Sequence, residues 1–167
     1  MGYLKNLKRY LTRKIALSLD HYAKTVSSTV IEKDNTSTIT EGNNVRIINA
    51  QIILKNNAQL VIEDDVEIND FDIIINGGIV KLGKSSVFSR ASYKKTKLFV
   101  KNGNVSIANN CIIRADILCH YGGELSIGEY TGINENTNIR CAEKISIGAF
   151  NMISYECLIF DNNTHEI

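Results

Sequence analysis

The chain has 167 residues and a net charge of +1, and 44% of its residues are hydrophobic and 22% charged. This composition can bury the core of one domain and excludes a disordered chain or a coiled coil, and the near-neutral charge disfavours a dedicated nucleic-acid binder. The 25 isoleucines and 19 asparagines favour short strands joined by tight turns over a helix bundle, because Ile prefers strands and Asn tolerates the left-handed turn conformation.

Residues 1–24 predict a short basic amphipathic α-helix. Leucine and isoleucine recur at spacings of three or four residues from Leu4 to Leu19, which places them on one helical face. Six basic residues and one acidic residue give the segment a charge of +5. Such a helix packs its apolar face on the domain or on a neighbouring subunit, and the alternative is peripheral contact with an anionic membrane surface.

We expect a cytoplasmic protein, because the sequence shows no targeting segment. No stretch reaches the roughly 18 apolar residues of a membrane span, and Ile15–Leu19 is too short for the apolar part of a signal peptide. The four cysteines have no CxxC spacing, so we expect reduced, mostly buried thiols and no bound metal.

Residues 25–44, rich in Thr, Ser and Asn, are predicted to be a linker or an irregular first coil. Residues 45–167 are predicted to form one β domain, with clear repeats from residue 60. An apolar anchor returns at spacings of 20, 25, 20 and 20 residues, at Ile62, Leu82, Ile107, Ile127 and Ile147. A second apolar residue follows each anchor by six positions, at Ile68, Phe88, Ile113, Ile133 and Ile153. A third follows by twelve, at Ile74, Cys119, Ile139 and Ile159, and Phe99 is assigned to this place beside an insertion at 89–97.

This double period predicts a triangular coil. One apolar side chain every six residues points inward from the middle of each of three short faces, and stacked coils bury a column of these side chains. A helix would need spacings of three and four, and an ordinary half-buried strand would need a spacing of two. The fold class is therefore all-β, a parallel β-helix preceded by the short N-terminal α-helix.

The units Ile127–Gly132 and Ile147–Met152 resemble the hexapeptide repeat of left-handed parallel β-helix acyltransferases. The segment from Ile153 to His165 is similar to sugar O-acetyltransferases of the galactoside, maltose and surface-polysaccharide kind. The resemblance implies a left-handed coil, acetyl-CoA as acyl donor, a sugar or glycan acceptor in surface-polysaccharide synthesis, and a homotrimer. It leaves an N-acyltransferase of a nucleotide sugar open.

By the same resemblance, His165 matches the family's catalytic base. A neutral imidazole would take the proton of a sugar hydroxyl as it attacks the thioester, and backbone N–H groups would stabilise the oxyanion. Asn134 matches an acceptor-site asparagine, which can hold a hydroxyl as donor and acceptor; the alternative is a corner residue. Asp161 is expected to orient His165, bind acceptor or close a turn, and His120 is interpreted as a corner residue.

The sequence ends two residues after His165, whereas the family continues with coils that carry much of its acyl-CoA groove. We therefore expect that C-terminal coils are missing and leave the cofactor-binding residues unassigned. The rival hypothesis is a noncatalytic β-helix that polymerises end to end as a scaffold, because its last coil would present an unpaired edge.

Overall fold

The structure, a computed structural model, describes residues 29–89 and 95–162. These residues form a parallel β-solenoid, in which each coil contributes a strand to each of three faces. The third face is a 6-stranded sheet, and the first two faces are joined in an 11-stranded sheet. The all-β solenoid predicted from the six-residue repeat is confirmed. The helix predicted over residues 1–24 lies outside the described residues.

The faces are defined by their strands. Face 1 contains β1 (Val30–Lys33), β4 (Gln51–Lys55), β11 (Asp116–His120), β14 (Asn138–Cys141) and β17 (Leu158–Phe160). Face 2 contains β2 (Thr38–Glu41), β5 (Gln59–Ile62), β12 (Glu124–Ile127) and β15 (Lys144–Ile147). Face 3 contains β3 (Arg46–Ile48), β6 (Glu67–Asn69), β8 (Val87–Ser89), β10 (Ile112–Ile113), β13 (Gly132–Ile133) and β16 (Met152–Ile153). Two strands, β7 (Phe71–Leu82) and β9 (Thr96–Ile107), cross from face 1 to face 2.

Neighbouring coils stack in the register that the repeat predicts. The face 2 column is Ile62, Leu82, Ile107, Ile127 and Ile147. The face 3 column is Ile68, Phe88, Ile113, Ile133 and Ile153. In each column the first four side chains are buried and the last is half-buried. The removal of these columns from water supplies the main driving force for stacking one coil on the next.

The prediction for face 1 was wrong in two coils. Ile74 and Phe99 are half-buried, whereas the residues on either side of each of them are buried. Cys119 is buried as predicted but pairs with Cys141, and Ile139 pairs with Ile117. The cause is the corner before face 1, which shortens to one residue between β6 and β7 but has four residues between β13 and β14. A fixed count of twelve from Ile62 therefore reaches Ile74 instead of an inward residue, whereas Phe99 was assigned beside an insertion, where no fixed count applies.

The regular stacking begins before the clear repeats of the sequence. Strands β1 and β2 lie within residues 25–44, which were assigned to a linker or irregular first coil, and they pair in parallel with β4 and β5. Ile39 aligns with Leu60 in this ladder and packs against the core. The first described coil therefore already has the architecture of the later ones.

The corner between faces 2 and 3 places one residue of every coil in the left-handed region. The φ angles lie between 54° and 59° for Asn44, Asp65, Ser85, Asn110, Tyr130 and Phe150. The first four are polar residues, three of them Asn or Asp, which suit this conformation. Tyr130 and Phe150 are bulky exceptions, and their rings stack at 5.2 Å with an interplanar angle of 6°.

Asp34 caps the corner after β1 and links it to the next coil. Its Oδ1 accepts hydrogen bonds from Thr36 N (3.0 Å) and Ser37 N (2.8 Å), and its Oδ2 accepts one from Asn56 N (2.7 Å). Hydrogen bonds from Ser37 and then from the Asn56 backbone hold the pKa of Asp34 well below its ordinary value of 3.8.

We expect Asp34→Asn to destabilise the protein at neutral pH and to lose that effect in acid. Because the folded pKa of Asp34 is depressed, its stabilisation is complete above the ordinary pKa of 3.8 and is lost as the pH falls below it. We would measure the free energy of unfolding of wild type and variant in urea, from neutral pH to below pH 3.8. The two values should converge as the pH falls. Glu32→Gln, on the adjacent strand, is the control and should show no such convergence. A difference between wild type and Asp34→Asn that stays constant with pH would contradict the prediction.

Candidate functional site

Asn134 begins the corner between faces 3 and 1. It follows β13, is half-buried, and its backbone N–H donates to Ile153 O of the next coil at 3.0 Å. Ile133 pairs with Ile153, so the residue that stacks on Asn134 lies 20 positions later. The 31 residues from Asn134 to His165 amount to about one and a half such coils. His165 lies outside the described residues, and the pairing of these two side chains stays a prediction.

Asp161 lies at the end of β17, where its carboxylate contacts the corner of the preceding coil. Its Oδ1 accepts a hydrogen bond from Ala142 N at 2.8 Å, and its Oδ2 accepts one from Glu143 N at 2.9 Å. Burial alone would raise the pKa of Asp161, but these N–H groups act against it and the pKa is lowered. A carboxylate held in this way caps the corner of the preceding coil, and the three roles that the sequence left open for Asp161 stay predictions.

The structure does not bring Asp161 and Asn134 together. Asn134 lies at the corner where face 1 begins, and Asp161 lies at the corner where face 1 ends. The four residues of β14 separate these corners, a distance of roughly 13 Å along a strand. Within one chain the two residues therefore lie at opposite ends of face 1.

Other aspartates cap the preceding coil as Asp161 does. Asp64 Oδ1 accepts from Asn43 N at 2.7 Å, and Asp72 Oδ1 accepts from Gln51 N at 2.7 Å. Asp116 Oδ1 accepts from Lys97 N at 3.1 Å. Each carboxylate satisfies a backbone donor of its neighbouring coil, where a missing partner would be costly. The contacts of Asp161 thus belong to a recurring structural feature of this solenoid.

Cys119 and Cys141 are stacked, buried thiols on face 1. Cys119 Sγ donates to Gly123 O at 3.2 Å, and Cys141 Sγ lies 3.5 Å from Asp161 Oδ2. Burial, followed by the neighbouring Cys119 and Asp161, raises the pKa of Cys141 to about 12. Burial also raises the pKa values of Cys111 and Cys119. These thiols are therefore protonated at neutral pH and unsuited to nucleophilic attack.

His120 is the last residue of β11, and its carbonyl accepts a hydrogen bond from Gly123 N at 2.9 Å. Its ring lies 4.2 Å from that of Tyr121, whose side chain is exposed and whose φ is 55°. His120 thus lies at a corner, as predicted. Within residues 29–89 and 95–162, no three His, Cys, Asp or Glu side chains are grouped so as to hold a metal ion.

A groove on the outer surface of face 2 was missed by the sequence analysis. It has a volume of about 370 Å³ and crosses β7, β9, β12 and β15. The polar residues that line it are Lys81, Asn104, Ser106, Glu124, Ser126 and Lys144. The sequence does contain a pattern that indicates this groove, because Lys81, Ser106 and Ser126 each precede an inward anchor by one position. In a strand, such positions point outward, so the repeat places them in one column.

In the described part of the chain, no helix is long and apolar enough to cross a membrane. No family model and no curated protein matches the sequence. Among solved structures, the chain is similar to the crystal structure of the polySia specific acetyltransferase NeuO, with 14% identity and a TM-score of 0.35. The match covers 84% of this chain and 93% of that one. At this identity the likeness concerns the fold.

Proposed function

We propose that this protein is an acyltransferase that moves an acetyl group from acetyl-CoA to a sugar hydroxyl. The observation that carries the proposal is the register of the two units that resemble the hexapeptide repeat. Ile127 stacks on Ile147, and Gly132 stacks on Met152, so the units occupy equivalent places in successive coils. The two units are thus repeats of the structure as well as of the sequence.

The proposed mechanism is direct transfer. The imidazole of His165 takes the proton of the acceptor hydroxyl, whose oxygen attacks the thioester carbonyl. Backbone N–H groups stabilise the tetrahedral oxyanion, and its collapse forms the ester and expels the thiolate of CoA, which takes up a proton. Asn134 holds the acceptor through its amide. Asp161 is assigned a positioning role, because its carboxylate is already engaged at the end of β17, four residues before His165 in the sequence.

The proposal extends to the setting of the reaction. We place the enzyme in the cytoplasm, where acetyl-CoA is available, as a homotrimer of left-handed coils. Its acceptor belongs to surface-polysaccharide synthesis, and residues 1–24 contact either the solenoid or the anionic surface of the membrane.

The test is the transfer of acetyl from acetyl-CoA to a panel of sugars that includes nucleotide amino sugars. We expect product with a hydroxyl acceptor, and we expect His165→Ala to lower kcat on the order of 10²-fold or more, as for loss of a general base. His120→Ala is the control and should retain activity. An unchanged rate in His165→Ala would contradict the assigned base. A wild-type protein that neither binds acetyl-CoA nor transfers acetyl, and that forms filaments, would support the scaffold instead.

A further inference from the structure

The groove on face 2 is a trench along the solenoid axis. It spans four successive strands, β7, β9, β12 and β15, which pair in parallel without a break. Neighbouring strands lie about 4.8 Å apart, so the trench is roughly 14 Å long. Its volume of about 370 Å³ falls in the range of small-molecule sites. The trench can therefore accommodate an extended ligand several rings long.

Two parallel rows of side chains form the trench. One row is Ile79, Asn104, Glu124 and Lys144, and the other is Lys81, Ser106 and Ser126. Val105 and Leu125, which lie between the two rows, also line the trench, and the serines are the smallest of its polar side chains. Because the coils are in register, each polar position repeats at the spacing of the coils. The side chains differ from coil to coil, so a ligand with this spacing would meet a different polar group in each coil.

The polar groups of the trench include both donors and acceptors. Ser126 Oγ donates to Ser146 Oγ at 3.1 Å and can still accept. Asn104 Oδ1 accepts a hydrogen bond from Ile79 N at 3.2 Å, and the amide nitrogen carries two donors. Glu124 offers acceptors, and the two lysines offer donors. A hydroxyl group is both donor and acceptor, so a ligand rich in hydroxyls matches this set.

The charges of the trench are mixed, with two lysines and one glutamate among the lining residues. Lys144 Nζ lies 3.7 Å from Glu124 Oε2, which leaves Lys81 as a single further positive charge, too few for a polyanion with one charge per coil. The Glu124 carboxylate lies between the two ends of the trench and would repel a phosphate or a chain of acidic sugars. The side chain of Ile79 and the methylene stems of the lysines supply apolar contact for the C–H faces of sugar rings.

We propose that this trench binds an extended, uncharged oligosaccharide, with about one hexose ring per coil. In an extended β-1,4-linked chain, each ring advances by a distance close to the spacing of the coils. The inference deepens the proposed function and rests on it for its biological role, because the trench would hold the body of the acceptor glycan while one hydroxyl reacts elsewhere.

The test is binding of cellotetraose and mannotetraose to the full chain, followed by amide chemical shifts without acetyl-CoA. We expect shifts centred on Lys81, Ser106 and Ser126 that persist at high salt, because no net charge is neutralised. Ser126→Trp should fill the trench and weaken binding about tenfold or more, a loss of at least ~1.4 kcal/mol. Thr40→Trp is the matched control, since Thr40 is exposed in the same outward column but two coils away from Lys81.

The outcomes separate this inference from the proposed function. Binding that is lost in Ser126→Trp, in a protein that transfers no acetyl group, would support the trench and overturn the proposed function. Acetyl transfer with the same KM in wild type and Ser126→Trp, and no shifts with either tetrasaccharide, would overturn the trench alone. Tighter, salt-sensitive binding of an acidic oligosaccharide such as tetragalacturonate would overturn the uncharged ligand class.

Discussion

Replacement of Ile113 by alanine is expected to lower the free energy of unfolding by about 2–5 kcal/mol. The side chain of Ile113 is fully buried in the face 3 column, between Phe88 of the preceding coil and Ile133 of the next. Loss of its methylene and methyl groups would leave a cavity that the rigid stack of strands cannot fill. Unfolding in urea, followed by circular dichroism, measures the change.

The neighbouring residue provides a matched control for this substitution. Ile112 is 46% exposed and belongs to the same two-residue strand, β10. Ile112→Ala removes the same atoms from the opposite side of the strand, and we expect a change of less than about 1 kcal/mol. Equal losses in the two variants would show that Ile113 does not point into a tightly packed core, and would refute the assignment of inward and outward positions.

The inward positions of faces 2 and 3 could be predicted from the sequence because the path between them is constant. From each anchor to the apolar residue six positions later, every coil uses the same number of residues, including the left-handed corner. In each coil, as in Ile62 and Ile68 or Ile127 and Ile133, the two side chains of a pair therefore both point inward. Burial of one side chain per face then repeats in the sequence as a period of six.

Face 1 and the candidate site were less accessible to sequence reasoning. Ile74 was misplaced because a corner of variable length precedes face 1, and the period of six does not record that length. The role of Asp161 depends on Ala142 and Glu143, which lie about one coil earlier and become its partners only through stacking. The trench is likewise a product of stacking, because Ser106 and Ser126 line a groove only once stacking places them beside Lys81 and Glu124.

Gly78→Ala is expected to destabilise the protein by about 2–5 kcal/mol. Gly78 lies within β7, where the chain crosses from face 1 to face 2, and it pairs with Gly103 of the next coil. Its φ is 102°, and an added Cβ would lie 1.9 Å from Gly103 O. The substitution therefore combines backbone strain of about 1–2 kcal/mol with overpacking of about 1–3 kcal/mol. The midpoint of urea unfolding measures the loss, or soluble yield if the variant does not fold.

Gly122→Ala separates the cost of backbone strain from the cost of overpacking. Gly122 also has a positive φ, 86°, but the nearest atom to an added Cβ is Asn102 O at 4.0 Å. Only the conformational cost remains there, so we expect a loss of about 1 kcal/mol and a folded protein. A Gly78→Ala variant as stable as Gly122→Ala would mean that the coils at β7 and β9 can separate at this corner. A large loss in Gly78→Ala alone would show that the contact between the backbones of successive coils fixes the corner, and with it the path of β7 into the trench.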